Sequence, residues 1–364
     1  MVSTTERPHE VVVRRPTASY RTNLVTALLG TWLTLGLMLD AWAHNNVPEL
    51  ETFFTPWHAV FYTGFAATAA WIGWTVRRPV LARQFRDIPV GYGTAAVAVV
   101  VFGVSAVGDM TWHLIFGIEQ SIDILFSPTH LGLGASMVAI LLTPVRSAWA
   151  DRTNRLLPSI LSTALATTVV LLFLQYANAL TYGSGDVVIA LSTMDQGFTA
   201  TLVSHLAVTN LVLLLPVLTL ARRWTLPLGT ATAVYASAGI LSAAITGFHN
   251  RELIIGLIVS GMCVDLLARW LRPSPRRLIR YRVFAAAAPL LTWTIFIATA
   301  YLTSPPIFNP DGHVEPIPEV YTGAPIVQAL LGLLMSVLLI PSTRQQTTTE
   351  GLTTREAAQE RVGA

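Results

Sequence analysis

The sequence predicts an all-α fold, a polytopic transmembrane helix bundle of about ten spans. Of its 364 residues, 53% are hydrophobic and only 12% are charged, a composition far outside the range of soluble domains of this size. Apolar runs of about 18 to 25 residues, the length of a helix that crosses a bilayer, recur along the chain. The expected spans are 24–44, 57–76, 90–113, 128–143, 157–180, 198–220, 228–248, 252–270, 283–303 and 324–341.

The distribution of arginine predicts the orientation of this bundle. All 23 basic residues are Arg, and all except Arg251 fall in the N-terminal segment, in every second loop or in the C-terminal tail. Such positions are cytoplasmic by the positive-inside rule, so we expect both termini in the cytoplasm. Because the arginines are spread over separate loops, they predict no nucleic-acid partner. Membrane lipid is the expected surrounding.

Four segments follow from this organisation. We expect a cytoplasmic N-terminal segment at 1–22, a region of four spans carrying a motif repeat at 23–143, further spans at 144–341, and a disordered cytoplasmic tail rich in Thr, Gln, Glu and Arg at 342–364. The absence of Lys, together with abundant Arg, Ala and Val, is typical of a GC-rich bacterial genome. The expected location is therefore a bacterial plasma membrane.

One arrangement of metal-capable side chains occurs twice in the first four spans. Each copy has an Asp, a His four residues later on the same helical face, and a second His that opens the next apolar segment. The copies are Asp40, His44 and His58, and Asp109, His113 and His130. Carboxylates and imidazoles at the end of a membrane span are costly unless something compensates them, and a bound metal ion would do so.

The second histidine of each copy is predicted to begin a helix. A Thr-Pro pair precedes His58 and a Ser-Pro pair precedes His130. Such pairs are typical of an N-cap followed by proline at the first helical position, which places each histidine at the third helical residue. The partial positive charge of a helix N-terminus disfavours imidazolium, and neutral imidazole is the form that binds metals.

The types of ligand atom in these groups restrict the identity of the metal but do not determine it. Imidazole and carboxylate ligands without sulfur suit copper(II), zinc or non-haem iron, and the lone Cys263 argues against thiolate ligation. Both metal groups are expected at the extracytoplasmic face. Acidic residues in the connecting loops fit outer ligands, partners of the imidazoles or a solvated rim. They are Glu49, Glu51, Glu119 and Asp123.

The pattern resembles the C subunit of the copper membrane monooxygenases, the particulate methane and ammonia monooxygenases. In that family an Asp-x-x-x-His pair is followed by Phe-Thr-Pro-x-His and an aromatic pair, matched here by Asp40, His44 and the stretch 54–62. Further along, the family has an Asn-x-x-x-His pair, a Glu six residues beyond it and a Pro-x-His. The counterparts are Asp109, His113, Glu119 and His130. The resemblance covers roughly residues 36 to 135, about a quarter of the chain.

The resemblance implies a copper cofactor and specific ligand sets. One copper site would use Asp40, His44 and His58, and a second, alternative or adjacent, would use His58, Asp109 and His113. Asp109 stands where the family has Asn, so this position carries an additional negative charge. The family enzyme also works with two other subunits, so either such subunits or a homo-oligomer are implied as partners.

The sequence is compatible with three functions. The first is an integral-membrane copper protein, an enzyme or the copper-bearing subunit of one, that oxidises a small apolar substrate with dioxygen. The second is a non-catalytic handler that binds, delivers, transports or senses copper or zinc. The third is a haem protein in which His58 and His130 are the axial ligands. The lack of Lys excludes a retinal Schiff base, and neither HExxH nor CxxC occurs.

Other polar residues within the later spans are weaker candidates. His205 or His249 would complete the site if the outer ends of their helices cluster with the first four. Asp265 and Arg269 stand four residues apart and predict a local ion pair near the inner end of the eighth span.

Overall fold

The structure of the protein is a computed structural model that describes residues 15–47, 55–117, 125–151, 155–192, 196–309, 312–313 and 315–341. The prediction of an all-α fold is confirmed for these residues, where a two-residue β-ladder between Phe308–Asn309 and Gly312–His313 is a minor exception. The helices are α1 Tyr20–Asn46, α2 Pro56–Leu81, α3 Tyr92–Phe116, α4 Pro128–Leu141, α5 Thr143–Asp151, α6 Leu157–Phe173, α7 Ser184–Ala190, α8 Gln196–Arg223, α9 Thr230–Ile245, α10 Arg251–Leu271, α11 Leu278–Thr303 and α12 Pro318–Leu339.

The protein is membrane-embedded by the length and composition of its helices. Within the described residues, seven segments are long and apolar enough to cross a bilayer: α1, α3, α4 with α5, α8, α10, α11 and α12. Each of the ten predicted spans coincides with a helix, but α2 is not among the seven, and α6 and α9 are shorter apolar helices. The count of ten and the cytoplasmic termini therefore stay predictions. The tail predicted to be disordered lies outside the described residues.

The predicted fifth span, 157–180, is wrong after residue 173. The α-helix ends at Phe173 and is followed by two 3₁₀ turns, Gln175–Ala177 and Ala179–Thr181. The side chain of Asn178 accepts a hydrogen bond from the Leu180 backbone N–H at 2.9 Å and donates one to Ser242 Oγ at 3.0 Å. A side chain that binds the backbone in this way competes with helix formation, so the chain turns here.

Glycines allow α1 and α2 to pack closely. A Cβ added at Gly36 would lie 2.6 Å from the Phe61 Cα, and one added at Gly64 would lie 2.9 Å from the Leu33 Cα. The later residue of each helix faces the earlier residue of the other, so the two helices are antiparallel. Small residues permit such backbone contact between membrane helices. The contact brings the end of α1 beside the beginning of α2.

The pair α3 and α4 repeats this arrangement. A Cβ added at Gly132 would lie 2.2 Å from Ser105 Oγ, and one added at Gly108 would lie 3.2 Å from the Thr129 methyl carbon. The end of α3 therefore lies beside the beginning of α4. An apolar cluster lies further along these helices, away from the two places where the helix ends meet. Side chains of all four helices and of α6 pack together in it. Its buried members are Leu33, Phe61, Phe102, Leu133, Met137, Leu141, Leu165, Ala166 and Val169.

Candidate metal centre

The first group joins the end of α1 to the beginning of α2. Asp40 and His44 share one face of α1, and the Asp40 Oδ2 lies 3.9 Å from the His44 Nε2. The other carboxylate oxygen, Oδ1, lies 3.5 Å from the His58 Nε2. One donor atom from each of the three residues can be chosen so that all lie within 4.8 Å of one another. The sequence interpretation placed these three side chains together, and the structure brings them together.

The N-cap of α2 orients the imidazole of His58. Thr55 is the N-cap and Pro56 is at the start of the helix, as predicted. The Thr55 Oγ1 accepts a hydrogen bond from the His58 backbone N–H at 3.2 Å and lies 3.1 Å from the His58 Nδ1. Because Nδ1 is held at the cap, Nε2 is turned toward Asp40. Hydrogen bonding at one imidazole nitrogen is the usual way in which the ring of a metal ligand is fixed.

The second group joins the end of α3 to the beginning of α4. The Asp109 Oδ2 lies 3.6 Å from the His113 Nε2, and the Asp109 Oδ1 lies 3.2 Å from the His130 Nδ1. Donor atoms of these three residues also lie within 4.8 Å of one another. Asp109 is 2% exposed and His113 is 9% exposed, whereas His130 is partly buried.

Hydrogen bonds around the second group differ in detail from those of the first. Ser127 is the predicted N-cap of α4, and its Oγ accepts the His130 backbone N–H at 3.2 Å and lies 2.7 Å from the His130 Nδ1. The Thr129 Oγ1 donates to the Asp109 Oδ1 at 3.2 Å. The His113 Nδ1 lies 3.3 Å from the Gly117 carbonyl oxygen. A carbonyl only accepts, so this contact favours a proton on Nδ1 and a lone pair on Nε2, facing Asp109.

Both groups fit a metal cation by their chemistry. The Asp40 Oδ1 is buried and has no hydrogen-bond donor among the described residues, and a buried carboxylate oxygen without a donor is costly. Metal bonds from imidazole nitrogen and carboxylate oxygen measure about 2.0 to 2.2 Å, so ligands of one ion lie roughly 3 to 4.4 Å apart. The Asp–His separations in both groups, 3.2 to 3.9 Å, fall in this range.

A small cavity of about 40 Å³ connects the two groups. Its lining includes Asp40, His58, Asp109 and His130, with Tyr62 and apolar side chains between them. The two groups are therefore neighbours. Pockets for cofactor-sized ligands measure roughly 300 to 1,000 Å³, so this cavity leaves no room for a haem between His58 and His130. The described residues thus argue against the haem interpretation.

The ligand set implied for the second site is not the one that the structure groups. The resemblance implied His58, Asp109 and His113, whereas Asp109 and His113 are grouped with His130. The physical reason is local packing, because α4 begins directly beside the end of α3 while His58 is held at the N-cap of α2 facing Asp40. His130, which the resemblance left as an additional residue, is a full member of the second group.

The other candidate ligands lie elsewhere or outside the described residues. Glu119 is outside them, as are Glu49, Glu51 and Asp123. The His205 Nδ1 lies 2.8 Å from the Tyr182 hydroxyl, and the His249 Nδ1 lies 2.8 Å from the Thr246 carbonyl oxygen. Neither histidine belongs to a group of three metal-capable side chains in the described part of the chain.

The predicted ion pair between Asp265 and Arg269 is wrong. The carboxylate of Asp265 instead accepts hydrogen bonds from the backbone N–H groups of Gly229, Ala231 and Thr232 and from the Thr232 hydroxyl, at 2.6 to 3.1 Å. It thereby satisfies the unpaired N–H groups at the beginning of α9 and lies where the helix dipole is positive. A local four-residue spacing could not reveal this partner on another helix.

Two aromatic contacts were not predicted as parts of the site. Tyr62 stacks on His58 with ring centroids 6.0 Å apart, and Trp42 meets Trp57 edge to face at 5.7 Å. Tyr62 stands one helical turn after His58, and that spacing is the signal that could have found it. The Trp42–Trp57 contact packs the beginning of α2 against the end of α1, whereas Tyr62 restricts the imidazole of His58 from within α2.

Comparison of the chain with family models, with curated proteins and with solved structures finds no match. The resemblance to the monooxygenase C subunit therefore depends on the residue pattern alone.

Proposed function

We propose that the protein is an integral-membrane copper-binding protein whose first four helices hold two adjacent metal ions. One ion would be held by Asp40, His44 and His58, and the other by the group at the end of α3. The observation that carries the proposal is that an Asp-x-x-x-His pair meets a second His from the beginning of the next helix in both groups. The second His lies next to the Asp Oδ1 each time, through Nε2 in His58 and through Nδ1 in His130. Imidazole with carboxylate suits copper(II), with zinc and non-haem iron as alternatives.

The similarity to the C subunit of the copper membrane monooxygenases supports a role in oxidation. We propose that the chain is a copper-dependent monooxygenase, or the copper-bearing subunit of one, acting with dioxygen on a small apolar substrate. Copper would supply the reaction with dioxygen. The protein's own residues would hold the ion next to apolar side chains. The buried apolar cluster that includes Leu33, Phe61 and Phe102 supports such a setting. Further subunits or a second copy of the chain are the proposed partners.

Metal analysis tests this proposal directly. The protein is purified in detergent without added metal, and copper, zinc and iron are measured by mass spectrometry beside the variants His58→Ala and His249→Ala. We expect copper in the native protein and in the control His249→Ala, and loss of the first ion from His58→Ala. The spectrum of copper(II) in electron paramagnetic resonance should show nitrogen hyperfine coupling. Zinc alone, or no metal in any sample, would overturn the assignment to copper.

A non-catalytic metal handler is the second candidate. The shape of the site favours binding and delivery over transport, because the apolar cluster lies between the metal groups and the opposite ends of α1 to α4. A transport path through the membrane is expected to be lined by polar residues. Uptake of copper into vesicles containing the purified protein would favour transport, whereas retention without uptake or oxygen consumption would favour delivery or sensing.

The location of the site is proposed to be the extracytoplasmic face of a bacterial plasma membrane. The arginine-rich connections between α2 and α3 and between α10 and α11 support this orientation by the positive-inside rule. Single cysteines introduced at Asn45 and at Arg276, in a Cys263→Ser background, test it with a membrane-impermeant maleimide on intact cells. Labelling at position 45 alone is expected, and labelling at position 276 alone would reverse the orientation.

A further inference from the structure

A cavity of about 420 Å³ opens beside the first metal group and is completed by residues outside the resemblance. It lies between α1, α6 and α9 and the 3₁₀ turns that replace the end of the predicted fifth span. Its volume falls within the range of small-molecule pockets, roughly 300 to 1,000 Å³. The lining residues on which the argument depends are Leu37, Asp40, Asn45, Leu172, Phe173 and Gln175.

The cavity has an apolar floor and a polar mouth. Along α1 its wall runs from Leu37 to Asn45, eight residues that span about 12 Å of helix. Leu37, Leu172 and Phe173 form the deep end, while Asn45 and Gln175 lie toward the ends of their elements. The carboxylate of Asp40 faces the cavity between these two ends.

The amide of Gln175 is the uncommitted polar group of the mouth. Its side chain makes no hydrogen bond among the described residues. The neighbouring hydroxyls are already donors, since Thr181 donates to the Asn178 carbonyl and Thr246 to the Ser242 carbonyl, both at 2.9 Å. Asn45 donates to the Ala41 carbonyl at 2.7 Å. Gln175 is therefore the amide of the mouth with no donor or acceptor already used within the described residues, whereas Asn45, Thr181 and Thr246 each have one donor engaged.

We propose that this cavity binds a small amphipathic molecule, a short aliphatic chain with one uncharged hydrogen-bonding head such as a hydroxyl. The head would bind to Gln175, and the aliphatic chain would lie against Leu172 and Phe173, passing Asp40. The part of the ligand nearest the metal group would then be a carbon of the chain and not the head. This consequence for an oxidation rests on the proposed function, whereas binding in the cavity does not.

Photolabelling tests the cavity without requiring a metal. The probe is an aliphatic alcohol that carries a diazirine at the end opposite the hydroxyl, applied to the purified full-length protein with and without excess 1-hexanol. The cross-linked residues are identified by mass spectrometry. We expect labelling at the deep end, at Leu172, Phe173 or Leu37, and its suppression by 1-hexanol.

Three variants make the test specific. Ala41→Phe places a ring in the cavity and should abolish the labelling that 1-hexanol suppresses. Gln175→Leu removes one hydrogen bond and should raise the 1-hexanol concentration needed for competition about three- to tenfold. Ala59→Phe is the matched control at an exposed position near the beginning of α2, and it should label like the native protein.

The outcome separates this inference from the assignment of copper. Saturable labelling in protein stripped by a chelator supports the cavity even if metal analysis finds no copper. Labelling that 1-hexanol does not suppress, that falls on exposed residues such as Leu28 and Leu35, or that is unchanged in both Ala41→Phe and Gln175→Leu would overturn it. If Ala41→Phe does not fold, the competition curve of Gln175→Leu decides alone.

Discussion

The two candidate metal groups have the same residue types on the same helix ends but differ in the hydrogen bonds to the carboxylate. The Asp109 side chain is 3% exposed and accepts a hydrogen bond from Thr129, whereas the Asp40 side chain is 12% exposed and its Oδ1 has no donor among the described residues. The residue between the proline and the capped histidine makes the difference, because it is Thr129 in one copy and Trp57 in the other. The Asp109 carboxylate, the less exposed of the two, thus has a donor that offsets part of the cost of burying its charge, and the Asp40 Oδ1 has none within the described part of the chain.

From this comparison we expect the two groups to differ in how strongly they depend on a bound cation. Asp40 has less support from the protein and is expected to depend more on its cation, and it lies beside the larger cavity. Asp109 is held by the protein itself and is expected to keep its geometry without a metal. If both groups hold an ion as proposed, we expect the ion of the first group to exchange more readily than that of the second.

Removal of a ligand histidine should have the largest effect. His58→Ala and His130→Ala should each lose one bound ion of the two groups, because three ligand atoms become two and affinity falls more than the roughly 10- to 100-fold typical of an outer partner. Copper per chain, measured after dialysis, checks this result. The control His249→Ala should retain both ions. Loss of both ions in either ligand variant would show that the two groups form one cooperative site.

Neutralising each carboxylate should change the free energy of unfolding of the metal-free protein by a different amount in the two groups. Asp40→Asn removes a buried charge that lacks a donor, so it should raise the free energy of unfolding of the apoprotein by about 1 to 3 kcal/mol. Asp109→Asn should have a smaller effect, because Thr129 already compensates part of that charge.

The measurement is thermal unfolding in detergent after chelation, followed by copper titration. Both variants should show a smaller copper-induced rise in the unfolding temperature than the native protein. Equal stabilisation of the two apoproteins would contradict the proposed difference between the groups.

Loss of the Thr129 hydroxyl should weaken the second group alone. Thr129→Val keeps the shape of the side chain but removes the donor to Asp109, so copper affinity of the second group should fall about tenfold. Trp57→Phe is the matched control at the corresponding position, and it should leave the second group unchanged. Competition with a chelator of known affinity measures both, and a fall in the affinity of the first group in Thr129→Val would speak against the comparison.

Removal of the N-caps should have the smallest effect. Thr55→Ala and Ser127→Ala should each lower the free energy of unfolding by about 1 kcal/mol and release the Nδ1 of the adjacent histidine. Ser127→Ala should affect metal binding more, because its contact to His130 measures 2.7 Å against 3.1 Å for Thr55 and His58. Hydrogen exchange at the beginnings of α2 and α4 and copper affinity together check this order.

Local features of the sequence were sufficient to predict much of the fold and part of the site. Long apolar runs predicted helices at all ten positions, and the Thr-Pro and Ser-Pro pairs predicted the N-caps of α2 and α4. The four-residue spacing placed each Asp beside its His. These signals are readable because apolar length, capping and helical periodicity each depend on residues near one another in the chain.

Only the tertiary structure decided which separate pieces meet. It grouped His130, and not His58, with Asp109, since α3 and α4 approach each other closely at Gly132 and Gly108. It assigned Asp265 to the beginning of α9, and it formed the cavity from α6 and α9. Contacts between distant helices depend on the fit of whole surfaces, and a local pattern of residues does not contain that information.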